Sequence, residues 1–107
     1  MNGKDMRVKG IEIELDRVRY LIFDLNAFCE LEDKYGDINK AFASLQTGSI
    51  KAIRYLLYIG LVHEDESLTE KQVGSMVNLQ NLGYISTKIT ESISNAMPEV
   101  EENNSKN

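Results

Sequence analysis

The sequence predicts a mostly helical α+β domain, with an N-terminal β-hairpin followed by about five short helices in a compact bundle. Residues 10–24, GIEIELDRVRYLIFD, alternate apolar and polar side chains as strands do. At Asp24 the period changes to helical with no linker, so that YLIFDLNAFCELEDKYG runs a strand straight into an acidic amphipathic helix. From there to Met97 the apolar residues keep helical spacing, interrupted by glycines and by Ser, Thr and Asp capping residues.

A two-residue turn at Asp16 and Arg17 pairs Leu15 with Val18, Ile13 with Tyr20 and Ile11 with Ile22. All six then share one face, and Glu14 falls opposite Arg19 on the other. Asp-Arg is not the favoured Asn-Gly type of turn, which leaves a longer loop open. The first helix is capped by Asp24 or Asn26, buries Ala27, Phe28, Leu31 and Tyr35, pairs Glu30 with Lys34, and stops at Gly36. A second helix of about two turns starts behind Asp37 and buries Ile38, Phe42 and Leu45.

The third helix starts near Ser49 and is apolar almost all round in its second half, as helices buried on several sides are. HEDES then makes an acidic loop. Thr69 and Gln72 form a capping box that opens EKQVGSMVNLQN, with Leu68 stapled on Val73. The break before the last helix is expected around Gly83, and Ile85, Ile89, Ile93 and Met97 form that helix's stripe, with Ser, Thr and Asn outside.

At 107 residues the chain allows one domain. Residues 1–9 read as a flexible tail, 10–97 as the single folded domain and 98–107, PEVEENNSKN, as a disordered acidic tail. No internal repeat is visible.

With 42% apolar and 27% charged residues the chain has the composition of a folded protein. Its formal charge is −5, and from Leu61 onward acidic residues outnumber Lys71, Lys88 and Lys106, so this half repels nucleic-acid phosphates and anionic membranes. The longest apolar run, Tyr55 to Val62, falls far short of the roughly twenty residues of a membrane span, and MNGKDMRVKG has no apolar signal core. A soluble cytoplasmic protein with neither a nucleic-acid nor a membrane partner is expected.

Catalytic chemistry is poorly supplied. Cys29 and His63 are the sole thiol and imidazole, and Cys29 lies one residue from the core stripe, where a small side chain packs. His63, Glu64, Asp65 and Glu66 are consecutive and cannot easily converge on one cation. Glu30, Glu32 and Asp33 read as the wet face of a helix, and Thr47-Gly48-Ser49 lacks the lysine and further glycines of a phosphate loop. No catalytic, cofactor or metal site is expected. The stretch around Gly83 superficially resembles a helix-turn-helix, so a small prophage-encoded DNA-binding regulator is the alternative function, although Lys88 against Glu91 is far from a basic stripe.

Tyrosines suit interfaces, because the ring buries area while the hydroxyl tolerates water. Tyr55 and Tyr58 lie three apart on the third helix, whose all-round apolarity needs cover. The expected partner-binding surface is therefore Tyr55, Tyr58, Ile59 and Leu61 together with the acidic Glu64, Asp65 and Glu66. Self-association into a homo-oligomer would cover the same face when no partner is bound.

The hairpin, FDLNAFCELEDKYG and IKAIRYLLYIGLVHEDESLTEKQVGSMV, in that order, resemble the tail assembly chaperones of long-tailed bacteriophages, prophages and gene transfer agents. The matching positions are Phe23, Asp24, Asn26, Ala27, Leu31, Glu32 and Gly36, then Leu57, Tyr58, Gly60, Leu61, His63, Glu64, Asp65, Leu68, Thr69 and Val73. They span roughly Ile11 to Val77. The resemblance implies a non-enzymatic role: binding the helical, aggregation-prone tape measure protein and helping the tail tube protein polymerise around it, in the host cytoplasm and outside the mature virion. It also implies a longer form made by programmed frameshifting, for which the codons of Lys106 and Asn107 can contribute to a slippery heptamer.

Overall fold

The computed structural model describes residues 10–97. Both expected tails, 1–9 and 98–107, lie outside the described residues. Strands β1 (Ile11–Glu14) and β2 (Val18–Leu21) form an antiparallel hairpin, followed by α1 (Leu25–Tyr35), α2 (Ile38–Gln46), α3 (Ile50–Leu61), α4 (Glu70–Gly74) and α5 (Leu82–Ala96). The α+β architecture is the one the pattern predicts.

The hairpin register differs by one residue from the expected one. Ile11 pairs with Leu21, Glu12 with Tyr20, Ile13 with Arg19 and Glu14 with Val18. The loop is three residues long, Leu15 to Arg17, because Asp-Arg lacks the positive-φ preference that a two-residue hairpin turn requires. Asp16 organises it: one carboxylate oxygen accepts the Arg17 N–H at 3.0 Å, and both oxygens take the Arg19 guanidinium, at 2.7 and 2.9 Å. Ile13 keeps its place in the core, but in β2 the buried phase is Arg19 and Leu21, while Val18 and Tyr20 face outward at 42% and 46% exposure. The expected Glu14–Arg19 pair is replaced by Asp16–Arg19.

Helix starts follow the capping chemistry. Asp24, Asp37, Ser49 and Thr69 each accept a hydrogen bond from the backbone N–H three residues on, and Thr69 with Gln72 completes the capping box. Gly36 ends α1 with φ +95°, a conformation open to glycine at little cost. Beyond Gly74 the helix expected through Asn81 stops. Asn78 Oδ1 accepts the Gln80 and Asn81 N–H groups, and Asn81 Oδ1 accepts that of Asn78. These side-chain bonds supply the turn that helical periodicity cannot reveal. Gly83 thus sits inside the first turn of α5 rather than at the break.

Helix α3 is the spine. It packs against β2, α1, α2, α4 and α5 and buries Ala52, Ile53, Leu56, Leu57, Ile59, Gly60 and Leu61. Full burial of one such Leu or Ile contributes about 1.5–3 kcal/mol, so α3 carries much of the stability. Helix α5 lays Ile85, Ile89 and Ile93 on the same core, while Met97 is 37% exposed. Ser92, expected on the outer face, is buried, and its hydroxyl donates to the Leu21 carbonyl at 3.3 Å. Cys29, expected to pack, is exposed.

The edges of the hairpin are tied off by side chains. The Glu14 N–H donates to the Tyr84 hydroxyl at 2.9 Å, linking β1 to the start of α5. Tyr84→Phe is expected to cost about 1 kcal/mol, read as a lower urea midpoint at unchanged slope. On the other side His63 Nε2 donates to the Tyr20 carbonyl at 2.9 Å, a contact that sets the imidazole tautomer. Among the described residues no helix is long and apolar enough to cross a membrane.

Candidate binding cleft

The surface expected from the sequence is divided by the fold. Leu61 is fully buried and belongs to the core, and Ile59, 5% exposed, shows only an edge beyond it. The premise that α3 needs external cover fails because four helices and β2 already cover it. Tyr55 and Tyr58 are half-buried. Tyr55 meets Tyr35 edge-on at 6.1 Å between ring centroids, stands 6.5 Å from Tyr58, and directs its hydroxyl toward the Glu30 carbonyl at 3.5 Å. Lys34, expected beside Glu30, lies over the Tyr55 ring at 4.6 Å. Burial first, and then the Glu30 carboxylate, push the Tyr55 hydroxyl up to about 12.

The acidic loop is likewise split. Glu64 turns toward the hairpin, its carboxylate 3.7 Å from Arg19 Nη1. Asp65 accepts bonds from the Ser67 N–H and hydroxyl, which hold its carboxyl below the usual range. Glu66 stays exposed and reaches a cleft between α1 and the C-terminal end of α3.

This cleft encloses about 400 Å³ and unites two of the expected residues, Ile59 and Glu66. Ile22, Ala27, Ile59 and Val62 give it an apolar floor, with Asp24, Glu30, His63 and Glu66 around the edge. Asp24 is committed to the Ala27 N–H at 2.9 Å, and His63 to Tyr20. Glu30 and Glu66 are therefore the carboxylates left to meet a ligand. The arrangement suits an apolar side chain with a cation on either side of it. The sequence does not mark Glu30 for this role, since its approach to Glu66 depends on how α1 crosses α3. Among the described residues no three His, Cys, Asp or Glu side chains are grouped to hold a metal ion.

The Asp16–Arg19 pair lies on the neighbouring side of the hairpin. The Arg19 hydrogen bonds hold the Asp16 carboxyl at about 2, below the ordinary aspartate value of 3.8. Its stabilising contribution is thus complete above pH 3.8 and disappears as the pH falls through about 2. Because Asp16 is half exposed, solvent screening limits this to about 1 kcal/mol or less. Tyr55 acts at the other end of the scale: its ionisation is resisted in the folded state, so stability falls as the pH rises above 10. Urea midpoints at pH 5, 3 and 2 are expected to drop by similar amounts over the two intervals, and those at pH 9 and 11 to drop as well.

No family model matches the chain, and neither does any curated protein or solved structure.

Proposed function

We propose that this protein is a non-enzymatic tail assembly chaperone that binds a tape measure protein and aids tail tube assembly in the host cytoplasm. The observation that carries this reading is the cleft, where an apolar floor of Ile22, Ile59 and Val62 lies between Glu30 and Glu66. A helical client segment whose apolar stripe is flanked by lysines or arginines buries that stripe on the floor while its cations meet the two carboxylates. The resemblance in FDLNAF and LLYIGLVHEDESLT supports the identity of the client. Of its matching positions, Asp24, Asn26, Ala27 and His63 line this cleft. Tyr55 adjoins the site through its hydroxyl, 3.5 Å from the Glu30 carbonyl, with Tyr58 next to it at 6.5 Å between ring centroids, while Ile59 contributes from the floor.

Co-expression with a long helical tape measure protein is the direct test. Recovery of a soluble complex is expected, and Glu30→Lys with Glu66→Lys should weaken it at least tenfold in a protein that remains folded. Tyr58→Asp should weaken it less, being beside the cleft rather than in it. Retention on duplex DNA at moderate salt, with no complex formed, would instead support the regulator reading.

A further inference from the structure

A second groove lies at the opposite end of α3, among the start of α3, α4 and the start of α5. Ile50 and Ile59 are separated by roughly 14 Å along the helix axis, so one ligand side chain cannot occupy both sites. The groove encloses about 410 Å³, and its apolar surface comes from Ile50, Val77, Leu79 and Leu82. Leu79 is 79% exposed and Ile50 59%, two of the most exposed large aliphatic side chains among the described residues. Leaving both in water forgoes burial that the core provides elsewhere, and neither is needed to complete that core.

The electrostatics of this groove oppose those of the cleft. Arg54 and Lys71 line it, and Arg54 gives its Nε to Glu70 at 3.3 Å while the side chain stays 46% exposed. Gly74 keeps the lining open, since a Cβ there would come within 3.0 Å of Arg54 Cδ. Helix α5 begins at Leu82 with no side-chain cap, because Asn81 uses its amide on Asn78 and Met76. The first N–H groups of this fifteen-residue helix therefore present positive potential beside the groove. In a chain of net charge −5, Lys71, Arg54 and the uncapped N-terminus of α5 around exposed aliphatic side chains outweigh the one carboxylate paired there, Glu70, and form a local inversion of sign.

We infer that this groove is a second protein-docking site, taking a partner segment in which one or two large apolar side chains are flanked by Asp or Glu. The apolar side chains sit between Ile50 and Leu79, and the carboxylates face Arg54, Lys71 and the N-terminus of α5. It is independent of the acidic cleft, which selects the opposite charge.

The test is selection of a random twelve-residue peptide library on the full chain, followed by fluorescence anisotropy with the enriched peptides. The expected consensus pairs Leu, Phe or Met with adjacent Asp or Glu. Binding should fall at least tenfold in Leu79→Ser and in Lys71→Glu, and should weaken as salt rises. Glu30→Lys, at the cleft, should leave it unchanged. Leu79 is largely exposed, so Leu79→Ser is expected to keep the wild-type circular dichroism and urea midpoint. A consensus without acidic bias, peptides that bind Leu79→Ser as well as wild type, or no enrichment at all would overturn the inference. So would concentration-dependent dimers that Leu79→Ser dissociates, since the groove's occupant would then be a second copy of this chain.

Discussion

Gly60→Val is expected to lower the stability of this domain by about 3 kcal/mol, with the urea midpoint falling at unchanged slope. Gly60 lies in the last turn of α3, where any Cβ would stand 2.8 Å from Leu21 Cδ2 and 3.0 Å from Phe23 Cε2. Both neighbours are fully buried, and neither has solvent to move into. Backbone retreat is blocked as well, because the Gly60 carbonyl accepts the Ile22 N–H at 3.0 Å and so joins helix to strand. Glycine costs a helix about 1 kcal/mol relative to alanine, which makes Gly60→Ala the milder change: a propensity gain offsets part of the overpacking, leaving a net loss of about 1 kcal/mol. A Gly60→Val protein as stable as the wild type would mean that α3 and β2 are not in close contact.

The second large effect is expected at Asp16. Arg19 is 5% exposed, on the core face of the hairpin beside Ile13, and its Nε and Nη2 are satisfied by Asp16 alone. Its Nη1 is buried with no hydrogen-bond partner, the Glu64 carboxylate standing at 3.7 Å. Asp16→Ala leaves that charge almost unpaired. Stranding one partner of a fully buried pair costs about 3–5 kcal/mol, and the half-exposed position of Asp16 brings this to about 2 kcal/mol, more than protonation costs because alanine also removes the oxygens that accept from Arg19. Arg19→Met removes the charge and keeps most of the volume, and is expected to change stability by less than about 1 kcal/mol. If so, Asp16→Ala in the Arg19→Met background should cost almost nothing. A double-mutant cycle on urea midpoints measures this coupling.

The elements that the sequence revealed most clearly were those whose local chemistry and periodicity agree. Asp24, Asp37, Ser49 and Thr69 mark their helix starts because a side-chain oxygen followed by a free N–H is a purely local arrangement. The Ile85, Ile89 and Ile93 stripe survives for the same reason. The phase of β2 was harder. VRYLIF alternates acceptably either way, and the decision rests on Asp16 holding a guanidinium that an apolar-inside rule places outside. Apolarity in α3 is equally ambiguous from sequence, since a spine packed on all sides and a helix awaiting a partner have the same composition. Candidate sites suffered most: Ile59 and Glu66 lie at one cleft, but Leu61 is core and Glu64 faces Arg19, because side chains near the end of a helix diverge around its axis.

The most direct measurement is amide hydrogen exchange on the full chain, alone and in complex with a helical tape measure fragment. Binding at the cleft predicts slowed exchange in Leu25 to Glu30 and in Val62 to Glu66, with the Leu56 to Leu61 core slow in both states. An intact complex that slows neither segment, or slows only Ile50 to Arg54 and Lys71 to Leu82, would contradict it.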